Sequence, residues 1–343
     1  MRYKLLGKSG LRVSEISLGT MTFGEEWGWG ANKEESRNIF DDYADAGGNF
    51  IDTANRYTEG TSEKYVGEFI ADDREDFVVA TKYSLYNKRE NVNAGGNHRK
   101  NMIQSVEGSL KRLNTDYIDL LWLHVWDFLT PVEEVMRGLD DLVRAGKVLY
   151  LGISDSPAWI VSQANTMADL RGWTSFVGLQ IEYSLIERTP ERDLIPMAKA
   201  FDMTVTPWST LAGGVLTGKY LENEEAEGRV SANSERRNDR NTRITKEVVA
   251  IAKELDVPPA TVAISWTMQK DFQSIPIIGA RKLSQLQDSL RCLRFELPEM
   301  YMKRLDEVSK IELGFPHDFL NTDGVKDVIF GGTYDMIDSK RKH

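Results

Sequence analysis

One cysteine, Cys292, stands in 343 residues. It has no partner for an intramolecular disulfide, and the chain contains no paired-cysteine spacing that would hold zinc, so no metal site is expected. Its setting, Leu286 then Leu290, Cys292 and Leu293, reads as helix core and not as a nucleophile. No run approaches the ~20 apolar residues that a membrane span needs. The opening Met1-Arg-Tyr-Lys-Leu-Leu6 has neither the apolar core nor the cleavage site of a signal peptide. Positive charge is scarce as well: the formal net charge is −10. That balance argues against a nucleic-acid or anionic-membrane surface, both of which select basic faces. The basic tail Lys340–His343 reads as a frayed end. Together these absences point to a reducing, cytoplasmic setting. Nor is there a compositional linker or a short internal repeat beyond an alternation of strand and helix patterns, so a single domain over 1–343 is expected.

What is present supports a sizeable core, with 41% hydrophobic and 28% charged residues. Tyr3–Leu6 and Leu11–Val13, joined by Gly7-Lys-Ser-Gly10, read as a hairpin. Short β-rich runs then alternate with amphipathic stretches. Strands are expected at Ile16–Leu18, Phe50–Ile51, Phe77–Ala80, Tyr117–Leu123, Leu149–Ile153, Phe176–Gln180, Thr204–Thr206 and Ile275–Ile278. Helices are expected at Glu34–Ala46, Ser62–Ile70, Asn101–Leu113 and from Pro131 to Ala145, with three more opened by Pro157, Pro190 and Pro258-Pro259. Eight such units predict an α/β fold of the (β/α)8 TIM-barrel type, with the N-terminal hairpin and a C-terminal extension added. The extension runs from Pro298 as a helix, Met300–Ile311, and then an irregular segment; a polar insertion covers Leu221–Thr242.

Barrel chemistry sits at the C-terminal ends of the strands. There the sequence places Gly19-Thr20, Asp52, Thr81-Lys82, His124, Ser154-Asp155, Gln180, Pro207-Trp-Ser209 and Gly279-Ala-Arg-Lys282, with Tyr57 five residues beyond Asp52. Each has an ordinary reading: His124 as a core histidine, Lys82 as a solvated rim lysine, Tyr57 as a loop anchor. A carboxylate, an ammonium, an imidazole and a phenol on one rim form an acid-base constellation.

In those residues the chain resembles the aldo-keto reductase superfamily. The matching stretches are Ile16-Ser-Leu-Gly-Thr20, Asn49-Phe-Ile-Asp-Thr-Ala54 with Tyr57, Ala80-Thr-Lys82, and Ser109-Leu-Lys-Arg-Leu-x-Thr-Asp-Tyr-Ile-Asp-Leu120 leading to His124. They continue with Gly146-Lys-Val-x-Tyr-Leu-Gly-Ile-Ser154 and Pro207-Trp-Ser-x-Leu-Ala-Gly-Gly214. The pattern is closer to the bacterial and potassium-channel-β-subunit-like branches than to mammalian aldose reductase. The resemblance implies an oxidoreductase of the EC 1.1.1 alcohol dehydrogenase type, interconverting a carbonyl and an alcohol. It implies a catalytic tetrad of Asp52, Tyr57, Lys82 and His124. Tyr57 would donate the proton, Lys82 would lower its pKa from the usual ~10, Asp52 would hold Lys82, and His124 would orient the carbonyl oxygen.

No G-x-G-x-x-G follows a strand, so a Rossmann site is not expected; the resemblance implies NADP(H) lying across the barrel mouth instead. Gly213-Gly-Val-Leu-Thr-Gly218-Lys219 has P-loop spacing but continues with Tyr220, where magnesium binding needs Ser or Thr, and then into the polar insertion instead of a helix. Gly19, Thr20 and Asp52 are expected at the reactive end, Ser154 and Gln180 on the carboxamide, and Trp208 stacked on the nicotinamide. Ser209, Leu211, Gly213 and Lys219 are expected at the pyrophosphate, and Gly279, Arg281, Gln285 and Ser289 at the adenosine end. Arg281 would suit a 2′-phosphate. Two positions depart from the family: Asp155 replaces the usual Asn or Arg, and Asp288-Ser289 the usual Glu-Asn.

Met21, Trp27, Trp29, Tyr86 and Trp126, with Phe128, suggest an apolar pocket for a bulky or aromatic carbonyl; Trp27 and Trp29 could equally cover the rim. A monomer or a homo-oligomer fits equally well. A cofactor-binding regulatory subunit with little turnover is the alternative. An aldolase with Lys82 as Schiff-base amine is disfavoured, because a partnered, charged lysine is a poor nucleophile.

Overall fold

The computed structural model describes residues 1–222, 230–231 and 234–338. Tyr3–Leu5 (β1) and Arg12–Ser14 (β2) pair antiparallel. Eight parallel strands follow: Ser17–Gly19 (β3), Phe50–Asp52 (β4), Val78–Tyr83 (β5), Ile118–Leu123 (β6), Val148–Ser154 (β7), Phe176–Glu182 (β8), Thr204–Trp208 (β9) and Ile277–Ile278 (β10). They lie side by side in the order β10-β3-β4-β5-β6-β7-β8-β9. The ring closes through a parallel bridge between Val205 and Ser274, with the Val205 amide donating to Gln273 O and the Ile275 amide to Val205 O, both at 2.9 Å. Helices cover the outside, among them Lys33–Asp45, Thr61–Phe69, Arg99–Leu113, Val132–Arg144, Ala158–Arg171, Asp239–Glu254 and Pro259–Met268. This is the (β/α)8 barrel that the alternating pattern predicts.

Because side chains alternate across a strand, each strand feeds two cores. On β6, Leu120 and Trp122 face the barrel interior, while Leu121 and Leu123 face the helices. The interior cluster unites Phe50, Val78, Ala80, Leu120, Trp122 and Ile275 with Leu6 and Val13, so the hairpin closes the N-terminal end. Trp122 fits because two neighbours have no side chain. A Cβ on Gly152 would lie 2.2 Å from its Cε3, and one on Gly178 would lie 2.8 Å from its Cη2. The same inward register, followed up the strands, carries Asp52 above Phe50, Lys82 above Ala80, His124 above Trp122, Ser154 above Gly152 and Gln180 above Gly178. Period-two alternation alone thus aims these polar side chains at one end of the barrel.

Several boundaries differ from the sequence expectation. β5 runs to Tyr83, which places Lys82 inside a strand flanked by ladder bonds and not beyond it. Pro190 opens a 3₁₀ turn, Thr189–Glu191, with the helix Leu194–Ala200 beginning later; Arg188 Nε donating to Glu191 Oε1 at 2.9 Å tightens that turn. The helix Leu283–Leu290 ends before Cys292, which sits buried in a 3₁₀ turn, Arg291–Arg294, with burial pushing its thiol up to about 12. The helix expected at Met300–Ile311 spans Glu299–Val308, and the segment read as irregular contains two short helices, His317–Leu320 and Asp323–Phe330. Lys219–Glu222 is a single helical turn directly after Gly218, where no helix start was expected. The rest of the polar stretch is described only in part, and Lys340–His343 lies outside the described residues. Among the described residues no helix is long and apolar enough to cross a membrane.

Candidate active site

Asp52 ends β4, Lys82 lies near the end of β5 and His124 follows β6, adjacent strands in register. Lys82 is completely buried, yet each hydrogen of its ammonium has an acceptor. Nζ donates to Asp52 Oδ2 at 2.5 Å, to the Thr53 carbonyl at 2.8 Å and to the Tyr57 hydroxyl at 3.0 Å. Burial works against its charge, but Asp52 and Tyr57 outweigh it and raise the lysine pKa. The second Asp52 oxygen accepts from Gln180 Nε2 at 2.9 Å, so the carboxylate is fixed from two strands. A buried ion pair holds only when such additional hydrogen bonds satisfy it.

Tyr57 opens a turn in which Thr58, Glu59 and Gly60 have φ of 46°, 55° and 92°. A β-branched residue at positive φ is strained. Thr58 is held there by donating to the Phe23 carbonyl at 2.6 Å and accepting the Ser62 amide at 3.1 Å. The turn brings the half-buried phenol against Lys82 and against His124, whose ring centroid is 6.1 Å away at 83°. Among the described residues nothing accepts the phenol's own proton. Burial raises the Tyr57 pKa, with Lys82 opposing and Asp52 adding to the rise. Lys82 lowers the phenol pKa as expected, but desolvation outweighs the ammonium, so the net shift is upward and not downward. Burial, with the Lys82 charge, depresses the His124 pKa to about 3, so the imidazole is neutral near pH 7. Its Nδ1 is buried without a partner.

The residues expected at the nicotinamide end lie on the same rim. Ser154 pairs with Gln180 across β7 and β8, and Ser154 Oγ is buried without a hydrogen-bond partner of good geometry. Trp208 ends β9, and its Nε1 donates to Asp155 Oδ1 at 3.2 Å. An orphaned buried hydroxyl beside a half-buried indole is a site suited to a polar, flat ring. Other assignments fit less directly. Gln180 already uses its amide on Asp52. The Thr20 hydroxyl donates to the Asp52 carbonyl at 3.0 Å and lies 2.7 Å from Ser62 Oγ, so it braces β4 from inside. Gly19 is required by packing, since a Cβ there would lie 2.6 Å from Ile277 Cγ2.

Beyond β9, Ser209 has φ of 59°, and Gly213 and Gly214 have φ of 68° and 93° in the turn Ala212–Thr217; Leu211 and Lys219 flank it half-buried. Such turned backbone exposes amides to an anion. Among the residues expected at the adenosine end, Gly279 lies against Gly19, its would-be Cβ 3.3 Å from that carbonyl. Gln285 Oε1 accepts the Arg281 amide at 3.0 Å, and Ser289 Oγ donates to the Gln285 carbonyl at 2.9 Å. Both side chains therefore serve their own helix, and Glu35 Oε1 accepts the Leu283 amide at 2.7 Å at its start. The Arg281 guanidinium is half-buried and makes no hydrogen bond among the described residues, which leaves it open to a phosphate.

Around the mouth, Trp27 and Trp29 pack with centroids 5.7 Å apart, and Trp27 Nε1 donates to Glu59 at 3.2 Å. Arg56 and Arg89 lie 4.2 Å and 4.8 Å from the centre of the Tyr86 ring. Trp126 is buried, Met21 half-buried and Phe128 exposed. Sequence reasoning missed Arg56, which pairs with Glu59 and joins the Trp27 and Tyr86 walls; the i,i+3 charge pair was its signal. It also missed the Thr53 carbonyl, which no residue pattern can reveal.

The C-terminal rim of this parallel barrel gathers a charged lysine, its carboxylate, a phenol and a neutral imidazole, the groups that acid-base chemistry needs. Comparison with known proteins supplies the family. The model of the Aldo/keto reductase family matches residues 15–310, and the chain belongs to that family. It is 38% identical over 326 residues to a norsolorinic acid reductase of Aspergillus flavus, covering 92% of this chain and 83% of that protein. It is 39% identical over 333 residues to an aryl-alcohol dehydrogenase [NADP(+)] of Phanerodontia chrysosporium, covering 90% and 86%. A putative aryl-alcohol dehydrogenase of Saccharomyces cerevisiae is 36% identical over 339 residues, covering 94% and 90%. The chain is an oxidoreductase.

Proposed function

We propose that the chain, acting as a single barrel domain, is an NADP(H)-dependent reductase of the EC 1.1.1 type that interconverts an aromatic or bulky aldehyde or ketone with its alcohol. The observation that carries this reading is the Lys82 ammonium, fully buried and bonded at once to Asp52, the Thr53 carbonyl and Tyr57. NADP(H) is supported by the name of the Phanerodontia relative, by the unpartnered Ser154 hydroxyl and by the open Arg281 guanidinium. Ser154, Gln180 and Trp208 would hold the nicotinamide, the turn at Ser209–Lys219 the pyrophosphate, and Arg281 the 2′-phosphate. When bound, the dinucleotide supplies the hydride that reaches the carbonyl carbon.

The protein's own residues handle the proton. The substrate oxygen gains negative charge as the carbonyl is reduced, and Tyr57 transfers its proton to it. Lys82, already donating to the phenol oxygen, stabilises the phenolate left behind. Asp52 keeps Lys82 charged and in place. His124 is neutral and unpartnered at Nδ1; in the tautomer with its proton on Nε2 it would donate a hydrogen bond that orients the substrate oxygen. In the alcohol-oxidising direction Tyr57 takes the proton back. Trp27, Trp29, Tyr86, Trp126 and Met21 form the walls for an aromatic substrate, in keeping with the relatives named aryl-alcohol dehydrogenase.

Tyr57→Phe tests the assignment. Removing a general acid costs about 10²–10⁴-fold, so ketone reduction followed by NADPH absorbance should fall by that factor while NADPH affinity stays within about twofold. Full turnover in the variant would sink the proton-donor role.

A further inference from the structure

Asp155 directly follows Ser154 at the end of β7. Its amide donates to the Gln180 carbonyl at 3.3 Å, its φ is +38°, and its Oδ1 accepts from Trp208 Nε1 at 3.2 Å. It therefore touches or adjoins all three residues assigned to the nicotinamide. The neighbouring strand carries another rim carboxylate, Glu182, which is neutralised by an ion pair with Arg236. Asp155 has no such ion-pair partner among the described residues; the Trp208 indole and the neighbouring Ser154 hydroxyl act on its carboxylate instead.

Although the residue is exposed, surrounding protein is close enough for desolvation to raise its pKa, opposed by the Trp208 hydrogen bond and the Lys82 charge. Its field reaches the phenol, where it adds to the rise in the Tyr57 pKa. A lone carboxylate thus stands at the reactive end of the mouth.

We propose that Asp155 sets the redox preference of the bound cofactor, its carboxylate favouring the cationic oxidised nicotinamide over the neutral reduced one, which lowers the reduction potential of the bound pair and biases hydride transfer on the enzyme toward carbonyl reduction. The inference rests on the NADP(H) reading above. Loss of hydride leaves the ring with one more positive charge, so an anion beside it stabilises the oxidised form and does little for the reduced form. The affinity ratio of the two forms and the reduction potential of the bound pair are linked thermodynamically. A partly solvated carboxylate should change that ratio on the order of three- to tenfold; tenfold corresponds to about 30 mV for a two-electron couple.

Asp155→Asn isolates the charge, because Asn keeps an acceptor oxygen for Trp208 and tolerates positive φ. Dissociation constants for NADP+ and NADPH, each measured by quenching of tryptophan fluorescence at pH 8 and low salt, give the ratio without turnover. NADP+ binding should weaken three- to tenfold and NADPH binding stay within about twofold. Asp155→Gly, which accepts the same backbone angle, should move the ratio in the same direction. An unchanged ratio with both forms still bound, or equal weakening of both, overturns the inference alone. A wild-type protein that binds neither form overturns the cofactor reading and this inference with it.

Discussion

Replacing Lys82 by Met probes whether the Asp52–Lys82 pair is the structural hinge of the site. Lys82 is 0% and Asp52 2% exposed, so the substitution leaves a carboxylate in the interior with Gln180 Nε2 as its remaining side-chain donor. The Thr53 carbonyl and the Tyr57 oxygen lose their donor as well. Removing one partner of a buried ion pair costs about 3–5 kcal/mol. Unfolding entropy of ~2.1 cal/mol/K per residue, taken over the whole chain, converts this to a fall of about 4–7 °C in Tm. The orphaned Asp52 has lost the cation that compensated its buried charge. Asp52→Asn with Lys82→Met removes the uncompensated charge and should recover at least half of the loss. Urea unfolding followed by circular dichroism measures the cost and its recovery, and a thermal melt measures the fall in Tm. A single-variant cost below about 1 kcal/mol, or a double variant no better than the single, refutes the reasoning.

His124 predicts acid sensitivity of a separate kind. With its pKa held to about 3 in the native state, the unfolded chain alone binds that proton between about pH 6.5 and 3, so stability falls as pH falls, by ~1.4 kcal/mol per unit. His124→Gln should lose about 2 kcal/mol less than wild type between pH 6.5 and 5 in urea titrations, and an equal loss in both would refute this. Gly152→Ala puts a Cβ 2.2 Å from Trp122 Cε3 in the closed interior. Overpacking there should cost about 3 kcal/mol or more, seen as a drop of ~4 °C or more in Tm; no drop would mean that the ring can move.

The barrel was legible because its signal is local. Apolar alternation within each strand, and helical stretches opened by proline and stopped by glycine, require no knowledge of distant residues. Boundaries were less so. β5 continues through Lys82 because ladder bonds from β6 hold a stretch whose own pattern stops at Ala80. Cys292 left its helix for a tighter turn, and the C-terminal segment formed helices that its irregular pattern had not suggested.

The sequence by itself determined the fold class, the family and the rim residues that converge, because alternation aims Asp52, Lys82, His124, Ser154 and Gln180 to one end once the strands are placed in order. Only the tertiary structure decided how they act on one another. It assigned Gln180 to Asp52, turned Gln285 and Ser289 into their own helix, and left Ser154 Oγ and His124 Nδ1 without partners. It also reversed the expected sign at Tyr57, where desolvation exceeds the pull of Lys82. Residue identity specifies charge and donors, whereas burial and the distance between groups far apart in the chain set their energies. Those quantities exist only after the chain has closed.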